Sequence, residues 1–157
     1  MVEVGESIPR AKLFDTELQP VSLAKAVKSG TTVIAFFPGA FTGVCTKELC
    51  TFRDDLAKFD GLNARILAVS VDGPFANKAF KEKHSIGFPI LSDYRRKAVR
   101  AFGIELKDFA GLKGYTAAKR AVFIATPDGI VRYKWVTDDP TVEPDYAAIR
   151  AALSGIA

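Results

Sequence analysis

Two cysteines, Cys45 and Cys50, and one histidine, His84, are the side chains of this chain best suited to nucleophilic or redox chemistry. Two cysteines are too few for a disulfide framework, and a single histidine leaves no Cys/His set with zinc spacing, so no metal is expected. Reactivity at a cysteine is the next reading. Cys45 sits in the stretch Phe36-Phe37-Pro38-Gly39-Ala40-Phe41-Thr42-Gly43-Val44-Cys45-Thr46-Lys47-Glu48-Leu49-Cys50. Thr42 reads as the N-cap of a helix, which puts Cys45 at the third helical position. Unpaired backbone N–H groups of the first turn then point toward the sulfur, and the helix dipole favours its negative form. The Thr42 hydroxyl, three residues back, is within hydrogen-bonding reach of the sulfur or of a substrate oxygen. A free cysteine is commonly an inert packing residue; the turn and Thr42 favour the reactive reading over that one.

The neighbouring segments position this stretch. Thr31 to Phe37 is a run of β-branched and aromatic residues between Gly30 and Pro38, which reads as a fully buried strand. Ala64 to Val71 reads the same way and ends at Asp72-Gly73-Pro74. Between them, Leu49, Phe52, Leu56 and Phe59 recur at spacings of three and four, one face of a helix, and Cys45 extends that stripe by a turn. Strand, helix, strand predicts a βαβ unit with parallel strands. The sulfur therefore lies at the carboxyl end of a buried strand, where open α/β sheets place their ligand crevices.

Further along, the pattern predicts a helix from Phe75 to about His84 and a short strand over Phe88–Leu91. Another helix is expected from Ser92-Asp93 through Phe102, then a loop from Gly103 to Thr116. Arg120–Ala125, the turn Thr126-Pro127-Asp128-Gly129 and Ile130–Trp135 read as a β-hairpin. A last helix is expected over Asp145–Leu153, entered at Pro144. Trp135, Tyr133 and Phe123 belong to the hairpin and read as sheet packing or a dimer contact. The expectation is a single α/β domain over residues 1–157, a central mixed sheet with helices on both faces.

Composition agrees. The 157 residues are 48% apolar and 25% charged, as in ordinary globular proteins. The net charge of +4 comes from 22 basic and 18 acidic residues mixed along the chain. With no arginine-aromatic patch, a solvated surface is expected and no nucleic-acid partner. Met1 to Arg10 carries acids and no apolar run, so it does not read as a secretory signal. No stretch approaches the ~20 apolar residues that span a bilayer. A soluble cytoplasmic protein is expected.

Pro38, Thr42 and Cys45 match the Pro-x-x-x-Thr-x-x-Cys signature, and in this the chain resembles the peroxiredoxin family, a branch of the thioredoxin fold. Arg120, opening Arg120-Ala121-Val122-Phe123-Ile124, resembles the family's catalytic arginine. Phe88-Pro89-Ile90-Leu91-Ser92-Asp93 with Ala101-Phe102-Gly103 is similar to another family block. The similarity runs from Val4-Gly5 through the hairpin; Ala125 stands near where relatives commonly carry an aspartate. The resemblance implies a thioredoxin-like fold and a thiol peroxidase without cofactor. Cys45 would attack the peroxide, Arg120 stabilise the thiolate and developing oxyanion, Thr42 orient the peroxide, and Pro38 shield the pocket. Glu48 would hold Arg120 by a charge-assisted hydrogen bond, or serve only as a first-turn acid complementing the helix dipole. The partners implied are a hydroperoxide and a reductant (thioredoxin, glutaredoxin or a small thiol), with the protein a monomer or homodimer.

The Cys-x4-Cys spacing of Cys45 and Cys50 resembles the bacterioferritin-comigratory-protein subgroup, close to the one-Cys alkyl hydroperoxide reductase E-like enzymes. It implies that Cys50 resolves the sulfenic acid as an intramolecular disulfide. Five residues of ideal helix put the two Cα atoms roughly 8.7 Å apart, beyond the ~7 Å limit for a bridge, so the helix must unwind first. The alternative is that Cys50 only packs and an external thiol resolves. A thiol-disulfide oxidoreductase would carry Cys-x-x-Cys, which is absent, and a non-catalytic module would have no need of the Pro38, Thr42, Cys45 and Arg120 set. His84 could act as base in a cysteine hydrolase, but its place beside Lys81 and Lys83 reads as a helix end.

Overall fold

The computed structural model describes residues 1–156. Its strands are β1 (Lys12–Phe14), β2 (Pro20–Ser22), β3 (Thr31–Phe36), β4 (Ala64–Ser70), β5 (Ile90–Ser92), β6 (Glu105–Leu106), β7 (Ala117–Ala118), β8 (Arg120–Ala125) and β9 (Val131–Thr137). Its helices are α1 (Leu23–Ala26), α2 (Gly43–Asp54), α3 (Leu56–Gly61), α4 (Pro74–Lys83), α5 (Lys97–Phe102) and α6 (Tyr146–Ile156). Seven strands form one mixed sheet in the order β2-β1-β5-β4-β3-β8-β9, and β6 and β7 pair separately. The expected βαβ unit is present, with β3 and β4 parallel from Thr31↔Ala64 to Phe36↔Val69.

Alternation along the central strands divides the core in two. Ile34 and Phe36 of β3, Leu67 and Val69 of β4, and Phe123 of β8 face one side, against Leu23 and the Val99 and Phe102 face of α5. Val33 and Ala35, Ile66 and Ala68, and Val122 and Ile124 face the other, against Leu49 and Phe52 of α2, Phe80 of α4 and Ile149 and Leu153 of α6. A strand covered on both faces gains on every residue, which is why β3 reads as continuous apolar sequence rather than alternation. Burying each such side chain contributes roughly 1.5–3 kcal/mol.

Four expectations need correction. The Cys45–Phe59 stripe belongs to two helices, because Asp55 (φ −92°, ψ 4°) breaks the run and its carboxylate takes Lys58 and Arg150 instead. The strand read over Phe88–Leu91 is shifted to Ile90–Ser92. Its following helix starts at Lys97, after Arg96 in the left-handed region (φ 57°). Asp93 still caps it, accepting from the N–H groups of Ala98 and Val99 at 3.1 and 2.8 Å. Burial raises the Asp93 carboxyl above its ordinary range despite these bonds. Finally, Gly103–Thr116 is not all loop, since Glu105-Leu106 pairs antiparallel with Ala117-Ala118. The hairpin is present with a register shift at Ile124/Ala125. Among the described residues no helix is long and apolar enough to cross a membrane.

Candidate active site

The chain leaves β3 through Phe37 and Pro38 and enters α2 by a tight turn. The N–H of Phe37 still bonds the Val69 carbonyl at 3.0 Å, so the turn begins as an extension of the sheet. The Asp72 carboxylate, at the end of β4, accepts the Ala40 N–H at 2.7 Å. Phe41 adopts the left-handed region (φ 64°), a conformation that costs a non-glycine residue about 1 kcal/mol or more. That bend turns Thr42 back to extended geometry and starts the helix at Gly43. Cys45 is thus the third helical residue, as expected.

Thr42 is the N-cap by position but not by bonding. Its hydroxyl donates to the Gly39 carbonyl at 2.8 Å rather than capping the helix. The first-turn N–H groups are therefore not taken by a side-chain cap and remain available to a ligand oxygen. The hydroxyl oxygen keeps lone pairs to accept a ligand O–H.

Arg120 begins β8, beside the carboxyl end of β3, and the pairing of Phe36 with Ala121 fixes its height. Its side chain is 1% exposed, and so is Cys45. Nη2 donates to the Cys45 sulfur at 3.1 Å and to the Pro140 carbonyl at 2.6 Å. Nη1 reaches Glu48 Oε2 at 3.4 Å. Glu48 is fully buried and faces the guanidinium rather than solvent. Burial pushes its carboxyl up to about 8, and the opposing charge of Arg120 offsets only part of that. Glu48 Oε1 has no hydrogen-bond partner, which a neutral carboxyl tolerates better than a carboxylate. Burial pulls the Arg120 guanidinium down, but the Glu48 and Cys45 charges and their hydrogen bonds outweigh it, leaving it firmly cationic.

Pro38, Thr42, Cys45 and Arg120 line a pocket of about 200 Å³ with Gly43, Val44, Phe109, Pro140 and Thr141. Four of the residues named from sequence thus share one cavity, with Glu48 behind Arg120. Cys50 lies on the same helix, half-buried and outside that lining. His84 is remote from the pocket: it ends α4, its ring lies 4.8 Å from that of Phe80, and its carbonyl takes Arg53 at 2.6 Å.

The far wall was not read from sequence. Residues 138–146, between β9 and α6, fold over the site as Pro140 accepts from Arg120 and Glu143 pairs with Lys47 at 3.0 Å. Tyr146 donates to Glu143 at 2.8 Å and packs edge-on against Phe52. Burial and this bond raise the Tyr146 phenol, while Lys47 and Tyr146 outweigh burial and lower Glu143. Phe109, in the 3-10 turn Phe109–Gly111, closes the opposite edge. From sequence, only Pro144, read as the entry to the last helix, touched this segment. Among the described residues no group of His, Cys, Asp and Glu could hold a metal ion.

Residues 4–134 match the model of the AhpC/TSA family. The chain is 33% identical over 132 residues to a putative chloroplastic peroxiredoxin Q of Oryza sativa, covering 84% of this chain and 58% of that protein. It thus spans little more than half the length of that plant relative. Alkyl hydroperoxide reductase E of Mycobacterium tuberculosis is 33% identical over 135 residues, covering 85% of this chain and 84% of that protein. The crystal structure of reduced Prx3 of Vibrio vulnificus in complex with hydrogen peroxide superposes with a TM-score of 0.88 at 25% identity, over 98% of this chain and 99% of that one.

Proposed function

The chain belongs to the AhpC/TSA, or peroxiredoxin, family with its thioredoxin-like fold, and from that premise we propose that it is a thiol-dependent peroxidase acting through Cys45. The observation that carries this is the Arg120 guanidinium 3.1 Å from the Cys45 sulfur, both residues buried at the base of a small open pocket. The thiolate attacks the nearer oxygen of the hydroperoxide, the S–O bond forms, and the O–O bond breaks. The departing oxygen takes a proton and leaves as water or an alcohol, and Cys45 becomes a sulfenic acid. Arg120 holds the sulfur's negative charge and then the charge developing on the peroxide. Thr42, its own proton given to Gly39, accepts the peroxide O–H, while the first-turn N–H groups donate to its oxygens. Pro38 shields the sulfur, and Glu48 positions Arg120. A pocket of about 200 Å³ favours hydrogen peroxide and small organic hydroperoxides.

For the second half of the cycle the reading is that Cys50 attacks the Cys45 sulfenic acid, releasing water and forming a disulfide. Cys45 and Cys50 occupy one unbroken helix, Gly43–Asp54, so this step requires its first turns to unwind. Thioredoxin, glutaredoxin or a small thiol then reduces the disulfide. The second reading, a one-Cys enzyme reset directly by an external thiol, is favoured by the same intact helix. Residues 1–157 act as one domain, in the cytoplasm, as a monomer or homodimer. The test couples peroxide consumption to intact-mass analysis of wild type, Cys45→Ser and Cys50→Ser. Loss of two hydrogens on oxidation of wild type, with sulfenic acid trapped in Cys50→Ser, supports the two-cysteine cycle. Stable sulfenic acid in wild type supports the one-Cys route, and undiminished peroxide consumption by Cys45→Ser overturns both.

A further inference from the structure

The charges mixed along the sequence are not evenly mixed in space. Arg10, Lys12, Lys25, Lys28, Arg95 and Lys97 line one cavity of about 620 Å³ on the β1 side of the sheet, sharing no residue with the Cys45 pocket. Each pair is spaced to share a face. Arg10 and Lys12 are two apart along extended chain entering β1. Lys25 and Lys28 are three apart through α1 and the 3-10 turn Val27–Ser29. Arg95 and Lys97 flank the left-handed Arg96 before α5. Among the described residues none of the six has a carboxylate within 4 Å, although Lys47, Lys119, Arg132 and Lys134 elsewhere do. The carboxylate of the adjoining cleft, Asp128, is held by Arg132 and Thr126.

The rest of the lining is Ala11, Ala24 and Ser22. The Ser22 hydroxyl accepts the Lys25 N–H and keeps its own proton to donate. The Arg95 guanidinium is steadied over the Phe14 ring, 5.8 Å from its centre. Six uncompensated cations in one concavity repel each other, and a multiply charged anion relieves that repulsion while gaining charge-assisted hydrogen bonds. A lining without aromatic rings gives nothing for a nucleic-acid base to stack on.

We propose that this cavity binds a small polyphosphate, an oligophosphate chain or a multiply phosphorylated metabolite, at a site separate from the reactive thiol. The assignment does not depend on the peroxidase reading. Sodium tripolyphosphate titrated calorimetrically into the full reduced chain should bind once and saturably, weaken as ionic strength rises, and raise the melting temperature. Lys12→Gln/Lys28→Gln/Arg95→Gln should weaken binding at least about tenfold with its peroxide reduction unchanged. Lys58→Gln/Lys83→Gln/Lys113→Gln, with the same change of net charge on other exposed lysines, should bind as wild type does. Equal weakening by both triple variants would reduce the effect to net charge and overturn the site. So would absence of saturable binding, or tighter binding of single-stranded DNA or an acidic protein than of tripolyphosphate.

Discussion

Glu48→Gln tests whether the buried acid behind Arg120 is kept neutral by its surroundings. Glutamine has the same shape, preserves a polar partner for the guanidinium, and cannot ionise. The Glu48 carboxyl has an ordinary value of 4.5 and is pushed up to about 8 by burial. In the folded protein it therefore holds a proton that the unfolded chain has released anywhere between those values. Stability from this group is fully present below pH 4.5 and is lost as pH rises through about 8. At about 1.4 kcal/mol per pH unit, the span is worth about 5 kcal/mol in wild type and nothing in the glutamine variant. Urea denaturation of both reduced proteins at several points from about pH 5 to about pH 9 measures it. The free energy of the variant should gain on that of wild type by several kcal/mol, steadily from about pH 5 up to about pH 8 and no further above it. Because a neutral Glu48 leaves the Arg120 charge to the sulfur, peroxide reduction by the variant at neutral pH should stay within a few-fold of wild type. Parallel stability curves would mean that the Arg120 ion pair, not burial, governs this carboxyl, and the reasoning would fail.

Arg120→Met should lower kcat/KM for hydrogen peroxide by about 10²–10³, the loss expected on removing one donor to a developing charge. Arg120→Lys should recover only part, since one ammonium cannot span Cys45, Glu48 and the Pro140 carbonyl as a guanidinium does. Thr42→Val should slow peroxide reduction at least about tenfold while Thr42→Ser stays near wild type, both read by competition for peroxide. Asp93→Ala should cost about 1–2 kcal/mol in urea denaturation by freeing the Ala98 and Val99 N–H groups at the head of α5.

The parts legible from sequence were those whose signal is local. β3 and β4 announce themselves because strands buried on both faces must be apolar throughout, and the turn from Pro38 to Cys45 because each position has its own chemical demand. Arg120 was reached only through resemblance; an arginine opening a strand carries no sign that it points inward. The β6–β7 pair escaped because two-residue strands show no period, and the segment Lys107–Thr116 that joins them carries no hairpin-turn signal. The break at Asp55 also escaped: its carboxylate pairs with Arg150, 95 residues away, a partner no local pattern contains. The wall at Pro140 and Thr141 and the six-cation cavity were hidden for the same reason, being gathered by the fold from separate segments.

The three acceptors around the Arg120 guanidinium lie 75, 72 and 20 residues away along the chain, before and after it. Contacts of such span form late, since loop closure must precede any gain from them. During synthesis the thiol emerges long before its cation, and the carbonyl that locks the cation in place emerges later still. A chain stalled before residue 120 presents Cys45 without that cation. On the peroxidase reading, nucleophilic strength at this sulfur is thus a certificate of completed folding, issued only when three distant stretches of chain have met.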